Sequence, residues 1–321
     1  MQIVYFIQSH KNPAQVYRLV DVIKQSSSDS LVLLSHDFSS CSLDSDRLKQ
    51  YSGVELIKRT KSARRGDKSV LEIYLDAVNW LYNRDRDFDW LVCLSGQDYP
   101  IQPIADIEAF LANTEYDGFI QHWEVLSDDS PWGRLAGHKR FYAQYVSLPQ
   151  RSKWWLKKVC YIEPLIPALQ VQWRFASIGL AAISIPFNDS FKCYGGWYWN
   201  TLSRKCLDFL KSYLEEHSDL WQFYRRTLAP EESLPATVLL NSDRFNLCND
   251  CLRYLKFPSD LFGYAQSLTV DDYPQLVRSK AHFARKFDSE SDSEILDLLD
   301  KRLFNQSHSA SFCKIASSRE C

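Results

Sequence analysis

Ser95, Gln97, Asp98 and Tyr99 gather hydroxyl, amide and carboxyl groups directly after the apolar run 91–94. Pro100 then removes a backbone donor, so the run reads as a buried strand stopping in a polar turn. Open α/β sheets bind ligands outside the carboxyl ends of their strands, which makes residues 95–99 the expected floor of a site. A plain strand-to-loop exit is the alternative. Glu231 and Glu232 follow Pro230 at a helix start. A carboxylate there can take a proton from an attacking hydroxyl, although first-turn acids often only complement the helix dipole. Arg253, in Asn249-Asp250-Cys251-Leu252-Arg253-Tyr254, offers a planar fork for phosphate oxygens, and Lys286, in Phe283-Ala284-Arg285-Lys286-Phe287-Asp288, a compact charge. Solvated or ion-paired surface cations are the competing reading for both.

Other chemistries fit less well. Asp85-Arg86-Asp87 has the Asp-x-Asp spelling of a divalent-metal site but precedes the strand. After the strand only Asp98 remains, and hard cations want several oxygens, so the expectation is a metal-free site. Neither G-x-G-x-x-G nor a Walker A run occurs, which counts against dehydrogenases and P-loop ATPases. Nine scattered cysteines point to a reducing compartment, and the lone pair Cys248 and Cys251 reads as structural.

With 321 residues, 45% of them hydrophobic, the chain can bury one large core. A net charge of −2 gives no global attraction to nucleic acid, and any anionic ligand must meet a local basic patch. No apolar run is long enough to span a membrane. The pattern predicts strands at 2–8, 31–34, 54–57, 91–94 and 118–123, with helices at 13–24, 68–82 and 104–111 between them. That alternation implies a parallel, Rossmann-type sheet flanked by helices. Residues 124–170 show no clean period. Beyond them come a strand at 180–185, a turn at 195–200, helices at 203–214 and 228–240, a strand at 251–257 and a helix at 293–303.

Leu94-Ser95-Gly96-Gln97-Asp98-Tyr99-Pro100-Ile101 resembles the signature of glycosyltransferase family 14. That family holds the core-2/I-branching β-1,6-N-acetylglucosaminyltransferases and the peptide O-xylosyltransferases. Pro230-Glu231-Glu232-Ser233-Leu234-Pro235-Ala236-Thr237, Asn-x-x-Leu-Arg-Tyr at 249–254 and Phe-Ala-Arg-Lys-Phe-Asp at 283–288 are similar to three further family motifs in the same order. Similar segments run from Tyr5 to about Leu303.

The resemblance implies a single GT-A-like α/β domain over 1–304, with a donor-binding half to about 123, an acceptor and catalytic half from 124, and a polar tail at 305–321. It implies an inverting, metal-independent transferase without a cofactor, moving N-acetylglucosamine or xylose from a UDP-sugar to a glycan, lipid-linked or protein acceptor. Glu232 matches the family's base. Arg253 and Lys286 match the cations that clamp the diphosphate, with Arg285 a weaker candidate. Asp37 resembles the uridine-contacting acid. Ser69 ends Arg65-Gly66-Asp67-Lys68-Ser69, where the family usually has Trp-Gly-Gly-x-Ser; the missing Trp leaves donor choice open. Gly196 and Trp199 resemble a Gly-Ser-x-Trp turn near the acceptor, and Glu124 stands near where branching enzymes place an acceptor-side acid. Ser95, Gln97, Asp98 and Tyr99 belong to the pocket, Ser95 leaning towards the xylosyltransferases or towards a bacterial group between them and the branching enzymes. A catalytically silent sugar-nucleotide or glycan-binding protein on the same fold is the alternative.

Two basic clusters remain. Lys58, Arg59, Lys61, Arg64, Arg65 and Lys68 crowd one loop, as a solvated face or a diphosphate-steering patch. Residues 151–158 mix cations with Trp154 and Trp155, the composition of a peripheral membrane contact, with a protein-packed Trp pair as the alternative. Eukaryotic members of the family carry an amino-terminal membrane anchor, so by the resemblance a first strand at residue 2 implies a bacterial-type, cytoplasmic enzyme, peripheral at the inner face of the membrane if residues 151–158 make that contact.

Overall fold

Strands and helices alternate through residues 1–124, and strands from much later in the chain complete the sheet they begin. The computed structural model describes residues 1–166, 168–258 and 265–316, with side chains through 305. The first half comprises β1 (Ile3–Ser9), α1 (Pro13–Ser26), β2 (Leu31–Asp37), α2 (Ser45–Leu48), β3 (Val54–Arg59), α3 (Ser69–Tyr82), β4 (Trp90–Ser95), β5 (Asp98–Pro100), α4 (Ile104–Asn113) and β6 (Gly118–Glu124). Then come α5 (Arg134–Phe141), β7 (Ala143–Ser147), α6 (Lys153–Val159), β8 (Leu169–Gln172), β9 (Ser177–Ala181), β10 (Tyr194–Ser203), α7 (Arg204–Glu216) and α8 (Ser218–Tyr224). The last are α9 (Leu234–Leu240), β11 (Leu247–Cys248), β12 (Arg253–Leu255), α10 (Tyr273–Arg278), β13 (Phe283–Arg285) and α11 (Glu294–Ala316).

The seven-stranded sheet runs β11-β6-β10-β4-β1-β2-β3, and β3, β2, β1 and β4 are mutually parallel. Successive side chains on a strand point to opposite faces, and here both faces are covered. Tyr5, Ile7, Val92 and Leu94 pack with α1, α4 and α11, whereas Val4, Phe6, Leu91 and Cys93 pack with α3, α7 and α9. That two-sided burial is why these strands read as continuous apolar runs rather than alternating ones. Truncating a fully buried ring such as Phe6 would cost about 3–5 kcal/mol. At the start of α1, Pro13 fits the first turn and the Asn12 side chain accepts from Gln15 N at 3.3 Å.

Several expectations need correction. The turn expected at 195–200 is instead the body of β10, which runs antiparallel between β4 and β6, so the sheet is mixed rather than purely parallel. Gly196 lets β10 approach β6 closely: a Cβ there would lie 1.9 Å from Gln121 O, and the pairing register shifts between Gly196 and Asn200. The strand expected at 180–185 is β9, ending at Ala181. The helix expected at 228–240 splits into a 3₁₀ turn, Pro230–Glu232, and α9. The final helix passes 303 and continues to Ala316, while residues 317–321 lie outside the described residues.

Two small sheets complete the fold. In β12-β13-β5, β13 pairs antiparallel with β5, with Arg285 opposite Asp98, and parallel with β12. Phe287 N donates to Gln97 O at 2.8 Å. This is how the motifs at 249–254 and 283–288 reach the polar turn after β4. In β7-β9-β8, Ala143 and Tyr145 pack towards Leu228, and Val171 and Ile178 pack under α6. Among the described residues no helix is long and apolar enough to cross a membrane.

Candidate active site

Gln8, Asp37, Arg59 and Ser95 stand at or next to the carboxyl ends of β1, β2, β3 and β4, and all line one cleft of about 590 Å³. A parallel sheet places its ligand site there. Trp197, Tyr198 and Trp199 of β10 form a wall of it, Glu231 and Glu232 another, and Arg285 and Lys286 a third. Trp197 is stacked on Phe257, with ring centroids 4.9 Å apart.

The cleft is rich in cations on a chain of net charge −2. Lys11, Arg59, Arg65, Arg285 and Lys286 all reach it. Burial, then the charges of Arg285, Lys11 and Arg65, push the Lys286 ammonium below the usual lysine range, with Asp288 opposing them. Arg59 is fixed by donating to Ser9 O and Ser35 Oγ, both at 3.0 Å, and burial lowers its pKa. Arg285 lies over the Trp199 ring, 3.8 Å from its centroid, and 3.3 Å from Asp98 Oδ1. Such a surplus suits a polyanion.

Asp37 is one of three acids that line the cleft with these cations. Burial opposes its charge, but hydrogen bonds from Ser39, Ser62 and Ser40 outweigh burial and hold the carboxyl well below the usual carboxylate range. Ser39 donates both backbone N at 2.9 Å and Oγ at 2.6 Å to Oδ1, and Ser40 Oγ donates to Oδ2 at 2.8 Å. A fixed carboxylate at a strand end is a hydrogen-bond acceptor ready for a ligand hydroxyl or N–H.

The two acids of the 3₁₀ turn have opposite environments. Ala229, at φ 51°, turns the chain into Pro230. Glu232 is in an ion pair with Arg140 of α5, and Arg140 also lies 4.3 Å from the centroid of Trp132. Glu231 Oε2 is buried without a hydrogen-bond partner, and burial followed by the neighbouring Glu232 charge pushes its carboxyl up to about 8. Adjacent carboxyl groups whose environments diverge in this way can serve as separate proton donor and acceptor.

Of the residues proposed from sequence, Asp37, Ser95, Gln97, Trp199, Glu232, Arg285 and Lys286 meet in the cleft. Arg253 does not line it. Its buried guanidinium donates to Cys93 O at 3.1 Å and to Cys251 O at 3.0 Å and lies over Phe283, bracing β12 against β4. Asp98 is buried beneath the floor, accepting from Ser95 N. Tyr99 turns into the core, where its hydroxyl meets Asp300. Ser69 bonds Asp67 Oδ1 at 2.6 Å and Arg64 N at 2.7 Å, pinning the loop that carries Arg65. Glu124 pairs with Lys192 at 3.0 Å outside the cleft, and Gly196 is outside it too. Arg140, Lys11 and His10 carried no sequence signal, because α5 and the loop after β1 are brought here only by tertiary packing. Arg59 and Arg65 were visible as members of a basic loop, and these two line the cleft.

The family model for the Core-2/I-branching enzyme matches residues 30–259. The β-glucuronosyltransferase GlcAT14A of Arabidopsis thaliana is 23% identical over 278 residues, covering 82% of this chain and 53% of that protein. Xylosyltransferase 1 of Rattus norvegicus is 24% identical over 274 residues, covering 80% of this chain and 30% of that protein. Among solved structures, TarS 1-349 of S. aureus in complex with UDP-GlcNAc is 11% identical with a TM-score of 0.37, over 78% of this chain and 56% of that one. The chain spans about half the length of GlcAT14A. With four ordered motifs, a Rossmann-type sheet and a family match over most of its length, the chain belongs to the Core-2/I-branching enzyme family, glycosyltransferase family 14.

Proposed function

We propose that the cleft binds a UDP-sugar and passes its sugar, with inversion and without a metal, to a hydroxyl of a glycan, lipid-linked or protein acceptor. The observation that carries this reading is the convergence of Arg285, Lys286, Asp37 and Glu232 on one cleft at the strand ends. Glu232 takes the proton from the acceptor hydroxyl as its oxygen attacks the anomeric carbon from the face opposite UDP. The bond from that carbon to the diphosphate oxygen breaks, and UDP leaves with the electron pair. Arg285 and Lys286 offset the charge growing on the diphosphate, which a preorganised cation does most effectively away from water. Asp37 accepts hydrogen bonds from the nucleoside.

Metal independence is part of the proposal. Asp85 and Asp87 precede β4, at the other end of the strand from the cleft, and Asp87 is paired with Arg204. Among the described residues no group of three or more His, Cys, Asp or Glu side chains is arranged to hold a metal. The cations of the cleft support the role a metal would otherwise take.

N-acetylglucosamine, xylose and glucuronic acid are the donor sugars to compare, the last two being named for the matched relatives. Calorimetric titration of the purified protein with the three UDP-sugars and with UDP tests the reading. One sugar nucleotide should bind more tightly than UDP, and Lys286→Ala should abolish the heat of binding. Absence of binding by any of them, UDP included, would overturn the reading.

A further inference from the structure

We propose that α6 and the outer face of the small β7-β9-β8 sheet form a docking platform for a bilayer that carries anionic lipid headgroups. This rests on the surface itself and not on the reaction assigned to the cleft. Between Ser130 and Asn188 the only acid is Glu163, and it is paired with Lys139. The same stretch holds Arg151, Lys153, Lys157, Lys158 and Arg174 on α6 and its flanks. A chain of net charge −2 thus concentrates positive charge on one small subdomain.

The apolar groups there face outwards. Leu156 of α6 packs inwards on Val171 and Ala176. Helical spacing turns Trp154 to the opposite side, between Lys157 and Lys158, and Trp154 is 65% exposed. Trp155 is 46% exposed, so the pair is not buried in protein. In the turn after α6, Tyr161 and Leu165 are each 79% exposed. The sheet adds to this face. Val146, opposite Ile178, and Leu180, two residues on from it, share the face that α6 covers only in part, and both remain exposed. The other face, through Ala143 and Tyr145, is turned to the body of the protein.

Indole and aliphatic groups ringed by Lys and Arg match the layered chemistry of a membrane interface, where rings settle at headgroup level and cations meet anionic lipid. An anionic bilayer answers both features at once, with headgroups for the cations and an apolar depth for the rings. The platform adjoins the cleft. Arg64 donates to Phe175 O at 2.6 Å and to Ala176 O at 2.9 Å, and the next residue, Arg65, lines the cleft. A membrane on this face would bring lipid-borne molecules to the rim of the site.

Co-sedimentation of the whole protein with vesicles of phosphatidylcholine, with and without phosphatidylglycerol, tests this. Binding should require phosphatidylglycerol and weaken as salt is raised. Each basic residue at an anionic surface strengthens binding about fivefold, so Lys157→Glu with Lys158→Glu should weaken it more than about tenfold. Trp154→Ser with Trp155→Ser should do the same, and unchanged melting temperatures would show that both variants fold. No binding to anionic vesicles, or binding that both variants retain, would overturn the proposal. So would self-association that the tryptophan variant abolishes while vesicles capture nothing, since the face would then belong to a second copy.

Discussion

The Arg285 guanidinium lies 3.8 Å from the centroid of the Trp199 ring and 3.3 Å from the buried carboxylate of Asp98. It is therefore held from two sides, by a ring on β10 and an acid at the start of β5, while lining the cleft. Arg253, one strand away in the same small sheet, is held by backbone carbonyls instead. The two arginines should fail differently. Arg285→Met should raise the donor KM by at least about tenfold, the loss of one charge-assisted hydrogen bond of roughly 1.5–3 kcal/mol. Arg253→Met should lower the melting temperature and leave the donor KM of the folded fraction near that of the parent. Equal KM effects would return Arg253 to the diphosphate.

The ion pair between Arg140 and Glu232 orients the proposed base. Arg140→Gln should reduce kcat by roughly tenfold or more through misplacement of that carboxylate, with a much smaller change in donor KM. Arg140→Lys should restore part of kcat. Steady-state kinetics with the donor varied would separate these, and a change confined to KM would place Arg140 on the donor instead.

Glu231 ties stability to pH. Its carboxyl releases a proton near 4.5 when unfolded and near 8 when folded, so the neutral acid favours the fold. That contribution is complete below about pH 4.5 and is lost as the pH rises towards 8. Glu231→Gln keeps the shape and removes the titration. Across that window the melting temperature of the variant should fall less steeply than that of the parent, and parallel curves would contradict the assignment.

Gly196 should matter for folding rather than for substrate. A methyl group there would meet Gln121 O, a backbone atom that cannot step aside. Gly196→Ala should cost at least about 1–3 kcal/mol in denaturant unfolding. A fully stable variant with a lost acceptor response would restore Gly196 to the site.

The parallel strands and several residues of the cleft were legible in sequence because their signals are local. Runs such as 91–94 are short, apolar and closed by turn residues, which marks a buried strand, and Glu232, Lys286 and Asp37 sit in short motifs that end or begin an element. What sequence missed depends on pairing between distant segments. β10 was hidden because Gly195 and Gly196 read as a turn, although Gly196 serves a tight strand pair and Gly195 makes room for the Trp132 ring. Arg253 and Arg285 have similar local surroundings, and only the registers of β12 on β13, where Arg253 lies opposite Phe283, and of β13 on β5, where Arg285 lies opposite Asp98, separate them. Arg140 depends on a helix, α5, whose stretch shows no period.

The most direct measurement is UDP release by the purified protein in EDTA, with the UDP-sugar that binds and with candidate acceptors, for the parent and for Glu232→Gln. With Glu232 as the base and no metal involved, turnover by the parent should be unchanged in EDTA and abolished by Glu232→Gln, while the variant still binds the donor. Turnover that disappears in EDTA and returns with Mn²⁺, or that survives in Glu232→Gln, would contradict it.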